Sequence, residues 1–268
     1  MASRIFWLAS YPRSGNTWLR VLLANVLYSD IASSDQVAEL VPNIHNGITG
    51  NHLMQRRAVI IKTHWLYGPG IPLKGETVGA IYAVRNPVDV MASALRHQFM
   101  IDFIHAKMPT PEALGRMARR WVKVYLANRG APQWVKSGFG RWDAHVQSWT
   151  QECTTIPVHV VRYEDLRAEP QPSLDAICRF LKISATPASL AAAIEKSSMA
   201  RMRRLEQQEI EAGIRHLFRG SGTPGALSDL RFNDSANSDT GRALALTDDE
   251  KSAARVLFAD AMARFGYD

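Results

Sequence analysis

The sequence predicts an α/β fold, three layers α/β/α, with a central, mostly parallel sheet flanked by helices. Two observations carry this expectation. Short apolar, β-branched runs alternate with longer stretches of helical periodicity, the pattern of parallel strands joined by crossover helices. The first run also feeds into a short loop with one glycine and then a helix opening on polar residues, SYPRSGNTW at Ser10–Trp18. That strand–loop–helix grammar makes the fold P-loop-like, although the G-x-x-x-x-G-K-S/T spacing of a nucleotide triphosphatase is missing.

Strands are expected at Ile5–Ala9, Ala58–Thr63, Val78–Val84 and Val158–Arg162. Helical periodicity follows the first in TWLRVLLANVLY, the third in PVDVMASALRHQF and the fourth in PSLDAICRFL. Pro87 suits a first helical position, with Asn86 as N-cap. From about Pro109 to Trp149 the pattern is helical and rich in tryptophan (Trp121, Trp134, Trp142, Trp149), with Gly130–Gly140 read as a loop. Helical patterns resume over Pro187–Glu211, about 213–238 reads as a mobile loop, and a last helix follows Thr247 as N-cap.

Composition narrows the function. A chain of 268 residues with 46% apolar and 21% charged residues fits one globular α/β domain spanning 1–268. Its two cysteines, Cys153 and Cys178, have no framework spacing, and Cys178 lies in a helical apolar pattern. That usage suits a reducing compartment and a cytoplasmic location. No apolar run approaches the roughly 18 residues of a membrane span, so no integral membrane segment is expected. MASRIFWLAS is too soon interrupted by Tyr-Pro-Arg to read as a signal peptide. The net charge of +7 fits either a nucleic-acid binder or a pocket for a small anion. The basic residues are dispersed, which favours the small anion and argues against nucleic acid.

Three segments carry candidate chemistry. In the opening loop, backbone N–H groups at a helix N-terminus, the side chains of Ser14, Asn16 and Thr17 and the guanidinium of Arg13 could together hold a phosphate or sulfate. Lys62-Thr63-His64 ends the strand AVIIK, where ligands collect on an open parallel sheet; Lys62 could serve as electrophilic clamp and His64 as general base. Arg85 at the next strand end and Ser93 in the helix after it could grip a second phosphate. An ion pair of Arg85 with Asp89 is the plainer alternative. No H-E-x-x-H motif or Cys/His cluster calls for a metal.

In order and wording these segments resemble the family of sulfotransferases that use 3′-phosphoadenosine 5′-phosphosulfate (PAPS). SYPRSGNTW is similar to its phosphosulfate loop YPKSGTTW, IIKTH to the stretch with its catalytic lysine and histidine, and RNPVDVMAS to RNPxDxxxS. VVRYEDL, SSMARM (similar to TSFxxM) and FRGSG at Phe218–Gly222 (similar to RKGxxG) follow in order. The N-terminal wording resembles bacterial members, including glycopeptide sulfotransferases. The resemblance implies that Arg13, Ser14, Gly15, Asn16 and Thr17 bind the 5′-phosphosulfate and that Trp18 stacks on adenine. It implies Arg85 and Ser93 on the 3′-phosphate, Tyr163, Ser197 and Met199 along the adenosine, and Arg219 with Gly220 closing over the 3′-phosphate. Lys62 and Arg13 would steady the sulfuryl group and His64 would take the acceptor's proton. PAPS would be the donor co-substrate and adenosine 3′,5′-bisphosphate (PAP) the product, with no metal.

Three positions depart from the family wording. Arg13 stands where lysine is usual, Met199 replaces an aromatic residue, and the late loop reads FRGSGTPGAL instead of RKGxxGDW. The dimer motif of animal members is not visible, so a homodimer stays open. The implied partner is a small-molecule, glycoside or lipid acceptor with a hydroxyl or amine. Its walls are expected within about 97–150, including Phe99, Met100, Phe103, His105, Met108, Trp121 and Trp134. Two rival readings remain at this point: a P-loop kinase using ATP and magnesium, and a basic nucleic-acid-binding module.

Overall fold

The four apolar runs form one sheet of order β2-β1-β3-β4, with every neighbouring pair parallel. A computed structural model of the chain describes residues 4–28, 31–47, 58–103, 107, 109–212 and 239–267. The strands are β1 (Arg4–Ser10), β2 (Ala58–Thr63), β3 (Thr77–Val84) and β4 (Val158–Arg162), each within a residue of the expected bounds. Alternation along them divides the core. Trp7, Ala9, Val59, Ile61, Tyr82 and Val84 face one layer; Leu8, Ile60, Ile81 and Ala83 face the other.

Helices cover both faces, which explains why the strands are near-continuous apolar runs. On the Leu8 face lie α1 (Asn16–Leu27) and, after β4, α6 (Tyr163–Ala168), α7 (Pro170–Leu181) and α8 (Pro187–Lys196), contributing Leu19, Leu166, Ile177 and Leu190. On the Trp7 face lie α3 (Pro87–Phe103), α4 (Pro111–Asn128), α5 (Trp142–Thr150) and α11 (Asp248–Arg264), contributing Met91, Val122, Trp149 and Phe258. Further helices among the described residues include α2 (Ser34–Leu40), α9 (Met199–Glu211) and α10 (Asp239–Ala243).

Asn86 Oδ1 accepts from Val88 N–H at 2.9 Å, the N-cap bond in front of α3. Thr247 forms a capping box with Glu250 at the head of α11. Cys178 is buried in the Leu8-face core, and that environment pushes its thiol up to about 11. The reading of Gly130–Gly140 as a loop needs correction: Pro132 opens a helical turn that runs into a π-type turn over Val135–Phe139. Gly138, at φ 82°, then ends the helical path. The helical patterns expected over Pro187–Glu211 form two helices, separated at Ser197 and Ser198. The segment read as a mobile loop, about 213–238, lies outside the described residues.

Because β1 connects to β2 on one side and β3 to β4 on the other, the crevice between β1 and β3 opens at a topological switch point. The loops after these strands, which hold Arg13 and Arg85, meet there.

Candidate functional site

The loop after β1 is shaped by two left-handed residues, Arg13 (φ 72°) and Gly15 (φ 84°). For an arginine that conformation is strained by about 1–2 kcal/mol. Gly15 is required twice over, since a Cβ there would also lie 2.3 Å from Cδ2 of Tyr163. The loop delivers the chain to the N-terminus of α1, where Asn16, Thr17 and Trp18 carry backbone N–H groups without intrahelical acceptors. Ser14 Oγ is buried with no hydrogen-bond partner among the described residues. The expectation of a side-chain donor at Asn16 is corrected: its Nδ2 donates to Leu8 O (3.2 Å) and Ser10 Oγ (3.0 Å). It braces the strand end, and that position offers an anion only its backbone N–H.

Cations converge on the loop from β3 and α3. Arg13 Nε donates to Ser93 Oγ at 3.1 Å, and Arg85 Nη1 donates to Arg13 O at 3.1 Å. The Arg85 guanidinium lies over the Tyr163 ring, 4.6 Å from its centroid, and its Nε is buried without a partner among the described residues. Arg85 therefore rests on an aromatic face and a backbone carbonyl instead of pairing with Asp89. Arg96, one helical turn beyond Ser93, adds a third guanidinium. Burial first, then Arg85 and Arg96, push Arg13 down to about 9. Cations that destabilise one another in this way favour binding of an anion, and the orphaned Ser14 Oγ and Arg85 Nε are donors suited to its oxygens.

His64 follows β2 and is held at three points. Its Nδ1 lies 2.7 Å from Ser10 O; a carbonyl only accepts, so Nδ1 carries the proton and Nε2 the lone pair. Its backbone N–H donates to His45 Nε2 at 2.8 Å. Its carbonyl accepts from His145 Nε2–H at 3.1 Å, while His145 Nδ1 accepts from Tyr82 OH at 2.8 Å. No partner for His64 Nε2 occurs among the described residues. Burial, then the nearby Lys62 charge, hold His64 well below the usual imidazole value, opposed by the bond to Ser10. Burial first pushes His45 and His145 down to about 3. Strand alternation puts Lys62 on the α1 face with Ile60, and burial followed by Arg20 lowers its ammonium well below the usual lysine value. Arg20 donates twice to Val41 O, at 3.0 and 2.6 Å.

Trp18 and Tyr163 meet edge to face, their ring centroids 6.1 Å apart. Trp18 Nε1 donates to Ser197 O at 3.0 Å, and Ser197 Oγ accepts from Asn25 Nδ2 at 3.0 Å. Ser197 is thus tied to α1, while Met199 packs with Val21, Val37 and Met202. Arg219 and Gly220 lie outside the described residues, as do His105 and Met108. Among the expected acceptor walls, Phe99 and Met100 are buried, Phe103 and Trp121 pack against the Trp7-face core, and Trp134 sits on Tyr11 with centroids 5.7 Å apart.

The rings actually around His64 are His45, stacked at 5.8 Å, and Phe139, at 5.7 Å; Trp65 packs on His45 at 4.9 Å. None of these was singled out from sequence, nor were His145 and Arg96. Arg96 was within reach of a helical-spacing argument from Ser93. The others reach the site from separate segments and left no local signal.

The sulfotransferase domain profile matches residues 4–222, from β1 through α9 and into the late glycine-containing segment. Sulfotransferase 1B1 of Mus musculus is 27% identical over 193 residues, 65% of this chain and 57% of that protein. Sulfotransferase 4A1 of Homo sapiens is 25% identical over 198 residues, 70% of this chain and 63% of that protein. The match thus spans less than two thirds of the length of these relatives. Among solved structures, mouse sulfotransferase SULT7A1 complexed with PAP superposes with a TM-score of 0.52 at 21% identity, covering 90% of this chain and 87% of that one. Retinol dehydratase in complex with androsterone and inactive cofactor PAP gives 0.56 at 14% identity, covering 96% and 80%. With the sheet order, the loop around Gly15 and the Lys62–His64 strand end in the matched span, the chain belongs to the sulfotransferase domain family.

Proposed function

We propose that the protein transfers a sulfuryl group from PAPS to a hydroxyl or amine of a small acceptor, with His64 as general base. The observation that carries the reading is the cation cluster of Arg13, Arg85 and Arg96 beside the orphaned donors Ser14 Oγ and Arg85 Nε, at the switch point of a sulfotransferase fold. These residues fit a ligand with two separate anionic groups. PAPS, when bound, supplies an activated sulfuryl group on a nucleotide leaving group.

The chain's own residues then divide the work. The N–H groups of Asn16, Thr17 and Trp18, with Ser14 Oγ and Arg13, hold the phosphosulfate end. Arg85, laid on Tyr163, and Ser93 hold the 3′-phosphate that distinguishes this donor from ATP. Trp18 and Tyr163 border the adenine, and Ser197 and Met199 flank it. Lys62 lies at the strand end beside the transferring group and stabilises negative charge that develops there. His64 Nε2, fixed as the acceptor atom by the Nδ1–H to Ser10 bond, takes the proton of the attacking group. His45, Phe139 and Trp65 make the acceptor side aromatic, which favours a ring-bearing alcohol. Arg219 and Gly220 are proposed to close over the 3′-phosphate, and the protein to act in the cytoplasm.

The deciding experiment measures donor and base roles separately. His64→Ala is expected to lower turnover about 10²–10⁴-fold in a screen of acceptors with labelled donor, while PAP affinity changes little. Near-normal turnover in that variant overturns the base assignment. A preference for ATP with magnesium over PAP points to a kinase instead.

A further inference from the structure

Three consecutive residues at the C-terminal end of β4 and the start of α6 each hold a different part of the structure. Arg162 lies over the ring of Tyr267, 4.7 Å from its centroid. Tyr163 lies under the Arg85 guanidinium. Glu164 accepts from Asn86 N–H through Oε1 at 3.0 Å and from Tyr267 OH through Oε2 at 2.8 Å. Tyr267 therefore reaches the Arg85–Asn86 turn through a single carboxylate. Tyr267 belongs to the segment after α11, far in sequence from the matched span 4–222.

The geometry points to Tyr267 as a positioning residue for donor recognition: it locks Glu164 so that Asn86 is fixed and Arg85 is aimed at the 3′-phosphate. This rests on the assignment of Arg85 made above.

First, Asn86 is held on both sides, its N–H by Glu164 and its Oδ1 by Val88 N–H, and it precedes a proline that restricts its backbone. With Asn86 fixed, the arginine before it has a fixed origin. Second, a carboxylate one residue from Tyr163 has the wrong sign for a phosphate site. Engaging both oxygens keeps Glu164 from competing for the Arg85 guanidinium that the ligand needs. Third, the tyrosine is suited to the task. Burial first, then the Glu164 charge, push its phenol above the usual tyrosine value, so it remains a donor at any physiological pH.

The test compares PAP with adenosine 5′-monophosphate, which lacks the 3′-phosphate, by calorimetric titration of the full chain. Tyr267→Phe keeps the ring under Arg162 and removes only the hydroxyl. It is expected to weaken PAP about fivefold to tenfold and to leave the monophosphate within about twofold. Glu164→Ala should lower the same ratio, and adding Tyr267→Phe to it should cost nothing further, because both act through one contact. An unchanged ratio in Tyr267→Phe overturns the inference, as does equal weakening of both nucleotides or full additivity in the double variant. Should Glu164→Ala not fold, the Tyr267→Phe ratio decides alone. A wild-type protein with no preference for PAP overturns the Arg85 assignment itself, a result distinct from the preceding ones.

Discussion

Gly15 and Tyr163 occupy each other's space: a single methyl on the glycine would lie 2.3 Å from Cδ2 of the tyrosine. The residue that turns the anion loop and the ring that carries Arg85 are thereby packed as one unit, although one follows β1 and the other follows β4, two strands away in the sheet.

Gly15→Ala is expected to break that unit. The variant must place an L side chain at φ 84° and displace the Tyr163 ring, costing about 1–3 kcal/mol locally. PAP affinity should fall at least about tenfold, with a smaller drop in Tm. Unchanged PAP titration in a folded Gly15→Ala protein contradicts the packing.

Acid should unfold the protein through its buried histidines. Burial holds His45, His64, His97 and His145 below the usual imidazole value, with His45, His97 and His145 at about 3. In the unfolded chain each titrates near about 6.5, so between the two values the unfolded state binds more protons. Their contribution is fully present above about pH 6.5 and is lost as pH falls toward the folded values. Calorimetric Tm should be level from about pH 7 to 8 and decline steadily toward pH 5. A flat Tm across that range refutes the neutral, buried state of these rings.

Donor binding should take up protons. Lys62 and Arg13 are depressed in the free site, Lys62 by burial and then Arg20, Arg13 by burial and then its arginine neighbours. An anion bound beside them raises both, so affinity should weaken as pH rises through the window between depressed and ordinary values. PAP titrations at about pH 8.5 in buffers of different ionisation enthalpy should report net uptake, reduced in Lys62→Met. Zero exchange in every buffer counts against this account.

The His64 tautomer shows how sequence and structure divide the information. IIKTH placed a lysine and a histidine at a strand end, and nothing in the local wording says which ring nitrogen is free. That follows from strand register: Ala9 pairs with Thr63, which brings Ser10 O against the next residue, His64. The aromatic surroundings of His64 were equally silent. Phe139 arrives from a π-type turn read as loop, and His45 from a short helix preceding β2 that was not expected. For Asn16 only the side-chain role differs from expectation, because its residue type suits an anion and a strand brace equally.

By itself the sequence determined the alternation of strands and helices, the caps at Asn86 and Thr247, and the three segments that carry the cations. These depend on period, turn chemistry and residue type, all local properties. Only the tertiary structure decided which donors are spent and which are orphaned, how three histidines share their protons, and that Tyr267 reaches Asn86 through Glu164. Those are contacts between residues far apart in the chain, set by sheet order and packing, and no window of neighbouring residues encodes them.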